Sequence, residues 1–250
     1  MKLTIKPILK FMTGFFNYET ISKKFPADME LEFNEICEQC KKYTMTSLER
    51  MYALYKAVEY IIHSKVPGDF VECGVWKGGS SMIMAYTLLK EKEIMRKIYL
   101  YDTFKGMSKP TEKDLRISDS ASIIDKWERK QKEEYNEWDF SPLREVKKNM
   151  FSTAYPRENM IFVKGKVEDT IPDVMPLKIA LLRLDTDWYE STFHELTHLF
   201  PLLSNNGILI IDDYGHWAGA REAVNQYFKE NNITILLNRI DYSARLGIKL

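Results

Sequence analysis

Asp69-Phe70-Val71-Glu72-Cys73-Gly74-Val75-Trp76-Lys77-Gly78-Gly79-Ser80-Ser81 decides how this chain is read. A short apolar run ends on a carboxylate, Glu72. A turn holding three glycines follows, and the apolar pattern Met82 to Leu89 then has helical spacing. Strand, loop and helix in that order form the first crossover of a nucleotide-type α/β sheet, whose ligand lies beyond the carboxyl end of the strand. Glycine in the loop lets backbone N–H groups approach such a ligand closely. The spacing is not G-x-G-x-x-G, so a standard dinucleotide fingerprint is not read here. A glycine turn without a ligand is the plain alternative.

Working outward, Thr46-Ser47-Leu48-Glu49 reads as a capping box with the threonine as cap. The helix after it, to about Ser64, places Met51, Leu54, Tyr55, Val58, Ile61 and Ile62 on one face, and Pro67-Gly68 breaks it before the first strand. Downstream, Lys97–Asp102, Met160–Lys164, Lys178–Leu184 and Gly207–Ile211 are further strands, with helices over about Glu190–Leu203 and Ala218–Glu230. Their near-continuous apolar character suits parallel strands covered on both faces. Ile233–Ile240 and Ala244–Leu250 are separated only by Asp241-Tyr242-Ser243, which is too short for a crossover, so they must pair antiparallel. The expectation is an α/β fold of the Rossmann-like class I methyltransferase kind. Its sheet is seven-stranded and mostly parallel with an antiparallel last strand, and helices cover both faces.

The domain reading is a helical extension over 1–43 followed by one catalytic domain over 44–250. Residues 105–150 form a charged, aromatic-rich lid or insert, helical near Ser120–Glu134. Acidic and basic residues balance at 36 each, so no global field favours nucleic acid. No apolar run approaches the ~20 residues of a membrane span. Leu3 to Phe16, with lysines at Lys2, Lys6 and Lys10, is read as a segment that packs on its own domain or on a second copy of the chain, so a homodimer is expected. Cys37, Cys40 and Cys73, with no secretory signal, read as reduced thiols in a cytoplasmic protein. Cys37-x-x-Cys40 lacks the second pair that a zinc or redox site needs.

Three carboxylates carry the strongest chemical signal: Asp185 after the fourth strand, and Asp212 and Asp213 after the fifth. Neighbouring parallel strands bring their carboxyl ends to one edge, where like charges repel unless a hard cation such as magnesium joins them. Asp212 and Asp213 can share one ion only if the backbone has left the strand by Asp213, since successive strand residues face opposite ways. Asp187 is a reserve ligand or a helix cap. His216 is either a general base at this edge or a loop residue. His194-Glu195-Leu196-Thr197-His198 fits the H-E-x-x-H pattern of zinc proteases, yet it sits inside a βαβ alternation, and its histidines read as surface or capping residues. Asp102, at the end of the second strand, either accepts from ribose hydroxyls or caps a turn.

Met45-Thr46-Ser47, Gly68–Ser80, Tyr101–Met107, Gly165–Thr170, Leu184–Thr192 and Ile210–Gly215 together resemble the macrocin O-methyltransferase family. The resemblance covers roughly residues 44–232. It implies S-adenosylmethionine and magnesium as cofactors and a hydroxyl, on a sugar of a glycoside or glycan, as acceptor. By the same resemblance, Glu72, Gly74, Val75, Gly78, Gly79 and Ser80 hold the methionine part of the donor. Asp102 and Thr103 bind its ribose, and Gly165, Glu168 and Asp169 line the adenine side. Asp185, Asp212 and Asp213 match the magnesium ligands, and Asp185 or His216 takes the acceptor proton. Three alternatives stay open: a catechol or phenol acceptor, a nicotinamide-dependent oxidoreductase, and a non-catalytic binding module.

Overall fold

In the computed structural model, which describes residues 25–250, the apolar runs become one sheet. Its strands are β1 (Asp69–Cys73), β2 (Ile98–Asp102), β3 (Met160–Lys164), β4 (Ile179–Leu184), β5 (Leu203–Ile211), β6 (Asn238–Arg239) and β7 (Arg245–Ile248). The spatial order is β3-β2-β1-β4-β5-β7-β6. β1 to β5 run parallel, while β7 lies antiparallel between β5 and β6. This is the seven-stranded arrangement expected, and the short Asp241–Ser243 turn enforces its reversed strand. The helices are α1 (Leu31–Cys40), α2 (Leu48–His63), α3 (Gly79–Lys90), α4 (Ile124–Lys130), α5 (Leu143–Phe151), α6 (Val167–Thr170), α7 (Tyr189–Leu199) and α8 (Ala218–Glu230). Among the described residues no helix is long and apolar enough to cross a membrane. Leu3 to Phe16 lies outside the described residues.

Strand alternation sorts the core into two layers. Phe70, Ile98, Leu100, Ala180, Ile208 and Ile210 face α1, α2, α3 and α5. Val71, Tyr99, Tyr101, Leu182, Leu209 and Ile211 face α7 and α8. Both faces are therefore covered, which is why these strands carry so few polar residues. α1 brings Phe33, Ile36, Cys37 and Cys40 into the first layer. The two cysteines are buried thiols, Cys37 pushed up to about 11 by burial, and neither faces a metal cluster.

Four local readings shift. The cap of α2 is Ser47, which accepts from the Arg50 N–H at 3.2 Å, while Thr46 pairs with Thr44 instead. β5 begins at Leu203 rather than Gly207, because Pro201 ends the preceding helix in a 3-10 turn over Phe200–Leu202. The insert holds α5 as well as α4. The last two strands are short: Ile233 and Leu237 pack against the α7–α8 layer instead of lengthening the sheet edge.

α2 and α3 are joined across their polar sides by Glu59, which meets both Lys56 and Lys90. Burial opposes its charge, but the two ammonium groups win and hold its carboxyl at about 2. A depressed folded value means stability that is complete above pH ~4.5 and lost as pH falls through about 2. Glu59→Gln is expected to lower unfolding free energy by about 1 kcal/mol at pH 7, after allowing for solvent screening of the exposed lysines. Urea titrations at pH 7 and at pH 2 check this, and the difference should vanish in acid.

Candidate active site

Arg183 is the penultimate residue of a strand whose other residues are apolar, and its side chain is 2% exposed. A charge in that position must be paired. Sheet register supplies the first partner, because Arg183 on β4 lies directly beside Glu72 on β1. Arg183 Nη1 donates to Glu72 Oε1 at 2.7 Å and to Asp185 Oδ2 at 2.7 Å, and Nη2 donates to Asp212 Oδ1 at 2.6 Å. One guanidinium thus bridges the carboxyl ends of β1, β4 and β5. Arg50, from the first turn of α2, reaches the other oxygen of Asp212 and donates through Nε to Asp241 at 2.8 Å. Ser81, at the start of α3, donates to the second oxygen of Glu72. Burial works against every charge in this group. Even so, Asp185, Asp212 and Glu72 hold Arg183 well above its usual range.

The carboxylates read from sequence converge here. β5 ends at Ile211, so Asp212 and Asp213 both lie past the strand. Ligand oxygens of Asp185, Asp212 and Asp213 come within 4.8 Å of one another. Burial, then the charges of Asp212 and Asp213, push the Asp185 carboxyl up against the pull of Arg183. Asp213 is raised by burial and by Asp187 and Asp212, and its Oδ2 is buried with no partner among the described residues. Asp187 does not cap α7, whose N-cap is Trp188. It instead accepts from Trp217 Nε1 at 2.6 Å, beside this cluster.

These groups open into a cavity of about 730 Å³. Glu72, Gly74, Val75 and Ser80 line it from the glycine loop, Asp102 and Thr103 from the end of β2, and Gly165 and Glu168 from the end of β3. Gly78, Gly79 and Asp169 are not on its wall. Gly79 is needed elsewhere, since a Cβ there would lie 2.6 Å from the Tyr43 carbonyl. Gly74 holds φ +82°, and a Cβ would lie 1.9 Å from the Asp185 carbonyl, so only glycine lets the β1 loop approach the β4 loop this closely. Asp102 lines the cavity and also caps the glycine loop. Its Oδ2 accepts from the Val75 and Trp76 N–H groups at 2.8 and 3.0 Å, and its Oδ1 from Phe104 at 2.6 Å.

The opposite wall comes from the insert and the β5–α8 loop, with Ile123, Lys126, Trp138, His216 and Trp217. Trp138, Trp188 and Trp217 meet edge-on with ring centroids 5.3–6.3 Å apart. The His216 ring lies between Trp217 and Tyr242. Burial, then Arg116, Arg50 and Lys126, hold its pKa below the usual histidine value, so the imidazole is neutral at pH 7. The H-E-x-x-H stretch does not form a zinc site. His194 and His198 lie side by side, with His194 bonded to the Ile171 carbonyl, while Glu195 is fully buried and accepts from Thr186 at 3.0 Å.

A profile of the family described as "Macrocin-O-methyltransferase (TylF)" matches residues 18–246. The chain belongs to the macrocin O-methyltransferase family. It is an S-adenosylmethionine-dependent O-methyltransferase. One relative, 34% identical over 205 residues, is the 8-demethyl-8-(2,3-dimethoxy-alpha-L-rhamnosyl)-tetracenomycin-C 4'-O-methyltransferase of Streptomyces olivaceus. That match covers 80% of this chain and 72% of the relative. Mycinamicin III 3''-O-methyltransferase of Micromonospora griseorubida is 33% identical over 80% of this chain and 75% of its own. The solved O-methyltransferase NovP superposes with a TM-score of 0.71 at 28% identity, covering 83% of this chain and 82% of that one. Family membership sets aside the nicotinamide and binding-module alternatives.

In this member of the family, sequence reasoning found Asp185, Asp212 and Asp213 but missed the arginines that hold them. Arg183 had a visible signal, a lone charge in a doubly covered strand. Arg50 and Asp241 had none, because their partners lie far away in sequence. Arg183→Met leaves Glu72, Asp185 and Asp212 facing one another without their shared cation, and should lower unfolding free energy by about 3–5 kcal/mol. Denaturant titration measures this, and a millimolar divalent cation should restore part of the loss.

Proposed function

We propose that this enzyme methylates a sugar hydroxyl of a glycoside or related small molecule, with magnesium held by Asp185, Asp212 and Asp213. The observation that carries the reading is the meeting of this carboxylate cluster and the glycine loop in one cavity. The donor set is all oxygen, as a hard dication requires. The unpartnered, buried Oδ2 of Asp213 is an acceptor still lacking a positive partner. When bound there, magnesium would lower the pKa of an acceptor hydroxyl and fix its direction.

The chain's own residues supply the rest. Glu72 and the Gly74–Ser80 loop hold the methionine end of the donor. Asp102, already bonded to the Val75 and Trp76 N–H groups, keeps that loop in shape and presents its remaining acceptor capacity to the ribose. Gly165 and Glu168, which line the cavity at the end of β3, border the adenine. The flat rings of Trp138 and Trp217 suit the C–H face of a pyranose, and the insert that carries Trp138 excludes water from the opposite side. Transfer is an in-line displacement: the acceptor oxygen forms a bond to the sulfonium methyl as the carbon–sulfur bond breaks, which demands close aim of oxygen, carbon and sulfur. Of the two residues considered for the acceptor proton, Asp185 is tied to Arg183. His216 is a neutral imidazole on the cavity wall and is assigned the role. The tetracenomycin relative supports the acceptor class over a catechol, since its name carries a rhamnosyl group on the acceptor.

With magnesium, S-adenosylmethionine and a panel of rhamnosides and catechols, S-adenosylhomocysteine should form with the glycosides. Turnover of catechols alone overturns the acceptor class. EDTA should abolish the reaction, and Asp213→Asn should abolish its response to added magnesium. A variant that works equally well with and without EDTA removes the metal from the proposal. His216→Gln should lower kcat by about 10²–10³ while calorimetric binding of S-adenosylhomocysteine stays within twofold of wild type.

A further inference from the structure

Asp114 is the one carboxylate of the described insert that is fully buried, at 0% exposure. Its Oδ2 accepts from the N–H and the hydroxyl of Thr111 at 2.7 and 2.8 Å, which closes its own turn. Its Oδ1 accepts at 2.8 Å from the N–H of Tyr189, the first residue of α7. That N–H is one of the donors a helix start leaves without an internal partner. The same Oδ1 also presses on α8, because a Cβ built on Gly219 would lie 2.0 Å from it. α7 follows Asp185-Thr186-Asp187 directly, and α8 follows the loop that begins at Asp212-Asp213. Backbone bonds flank the contact: Ala218 N–H to the Leu115 carbonyl at 2.8 Å, and Ile117 N–H to the His216 carbonyl at 2.9 Å. Trp188 Nε1 donates to the Ser108 carbonyl at 3.0 Å.

We propose that Asp114 is a positioning residue for the cation site, a latch that holds the insert against the starts of α7 and α8 and thereby sets the spacing of the loops bearing Asp185 and Asp213. The two loops belong to different strands, and beyond the strand ends the sheet no longer fixes their separation. Asp114 touches the start of one helix and the first turn of the other with a single oxygen, so both are referred to one point. The donor end of the cavity, built on β1 to β3, is not in contact with it. The inference rests on the cation reading of the carboxylate cluster.

Manganese serves as the probe cation, with its paramagnetic signal reporting the free ion, and S-adenosylhomocysteine is measured separately by calorimetry. Asp114→Ala should weaken manganese binding by about tenfold, the range found when a group supporting a metal ligand is removed. S-adenosylhomocysteine affinity should stay within twofold. Gly219→Ala tests the same contact from the other side. It keeps the carboxylate but displaces it from its buried hydrogen bonds, so a fall in manganese affinity is expected together with a lower melting temperature, while S-adenosylhomocysteine affinity stays within twofold. In the Asp114→Ala background, Gly219→Ala should have a much smaller effect, since the carboxylate clash is gone and only the 3.0 Å approach to the Tyr189 nitrogen remains. Hydrogen exchange should quicken at the Tyr189 amide and across residues 108–117 in both single variants. Unchanged manganese affinity in the variants, an equal loss of S-adenosylhomocysteine affinity, or additive single effects each overturn the latch. If wild type binds no manganese, the cation reading fails, and the Tyr189 exchange rate still decides whether Asp114 holds the insert.

Discussion

A guanidinium inside a sheet is the constraint on which this structure turns. Arg183 occupies a position that alternation sends into the core, and Glu72 is its lateral neighbour by register. Removing either group from water is expensive, and their attraction offsets that only if the remaining donors are also used. Asp185 and Asp212 use them, one just past the end of β4 and one just past the end of β5. The ends of β1, β4 and β5 are therefore tied at a common point independent of any ligand. The close approach of the Gly74 loop to the Asp185 carbonyl and the exit of the chain at Asp212 both depend on that tie.

The charge balance of the carboxylate cluster is set by two arginines. Glu72, Asp185, Asp212 and Asp241 are engaged by Arg183 and Arg50. Asp213 and Asp187 lie outside this pairing and are both driven toward protonation, by burial first and neighbouring carboxylates second. The arginines thus neutralise the rear of the cluster and leave its excess negative charge at the front, facing the cavity. A dication placed there would meet the unpartnered Oδ2 of Asp213, whereas both oxygens of Asp212 are already engaged by Arg183 and Arg50.

What could be read from sequence was what is encoded locally. The strands announced themselves by apolar runs, and the reversed hairpin by the three residues between its strands. Asp185, Asp212 and Asp213 were legible because strand ends are legible, and parallel strands bring their ends together by construction. The condition set for Asp213, that the backbone leave the strand first, is met at Ile211. Arg50 was illegible because nothing near it marks a partner 162 residues away. Asp187 looked like a helix cap because acids often precede helices; its positive φ of 69° turns it away from α7 and toward Trp217 instead.

The two halves of the cavity are encoded differently, and this bears on how the fold changes function. The half lined by Glu72, Gly74, Asp102 and Gly165 is drawn from strand ends and their immediate loops, where register fixes each side chain. A substitution there disturbs the sheet itself. The opposite wall is drawn from the β5–α8 loop and from residues 105–140, which hold little regular structure and are kept in place by a few long-range contacts: Asp114 to Tyr189, Ser108 to Trp188, and the packing of Trp138 on Trp188 and Trp217. Any segment that preserves those anchors can present a different wall between them. Long insertions between anchored ends carry only a small entropic penalty, so this wall can be rebuilt while Arg183 and its three carboxylates stay fixed.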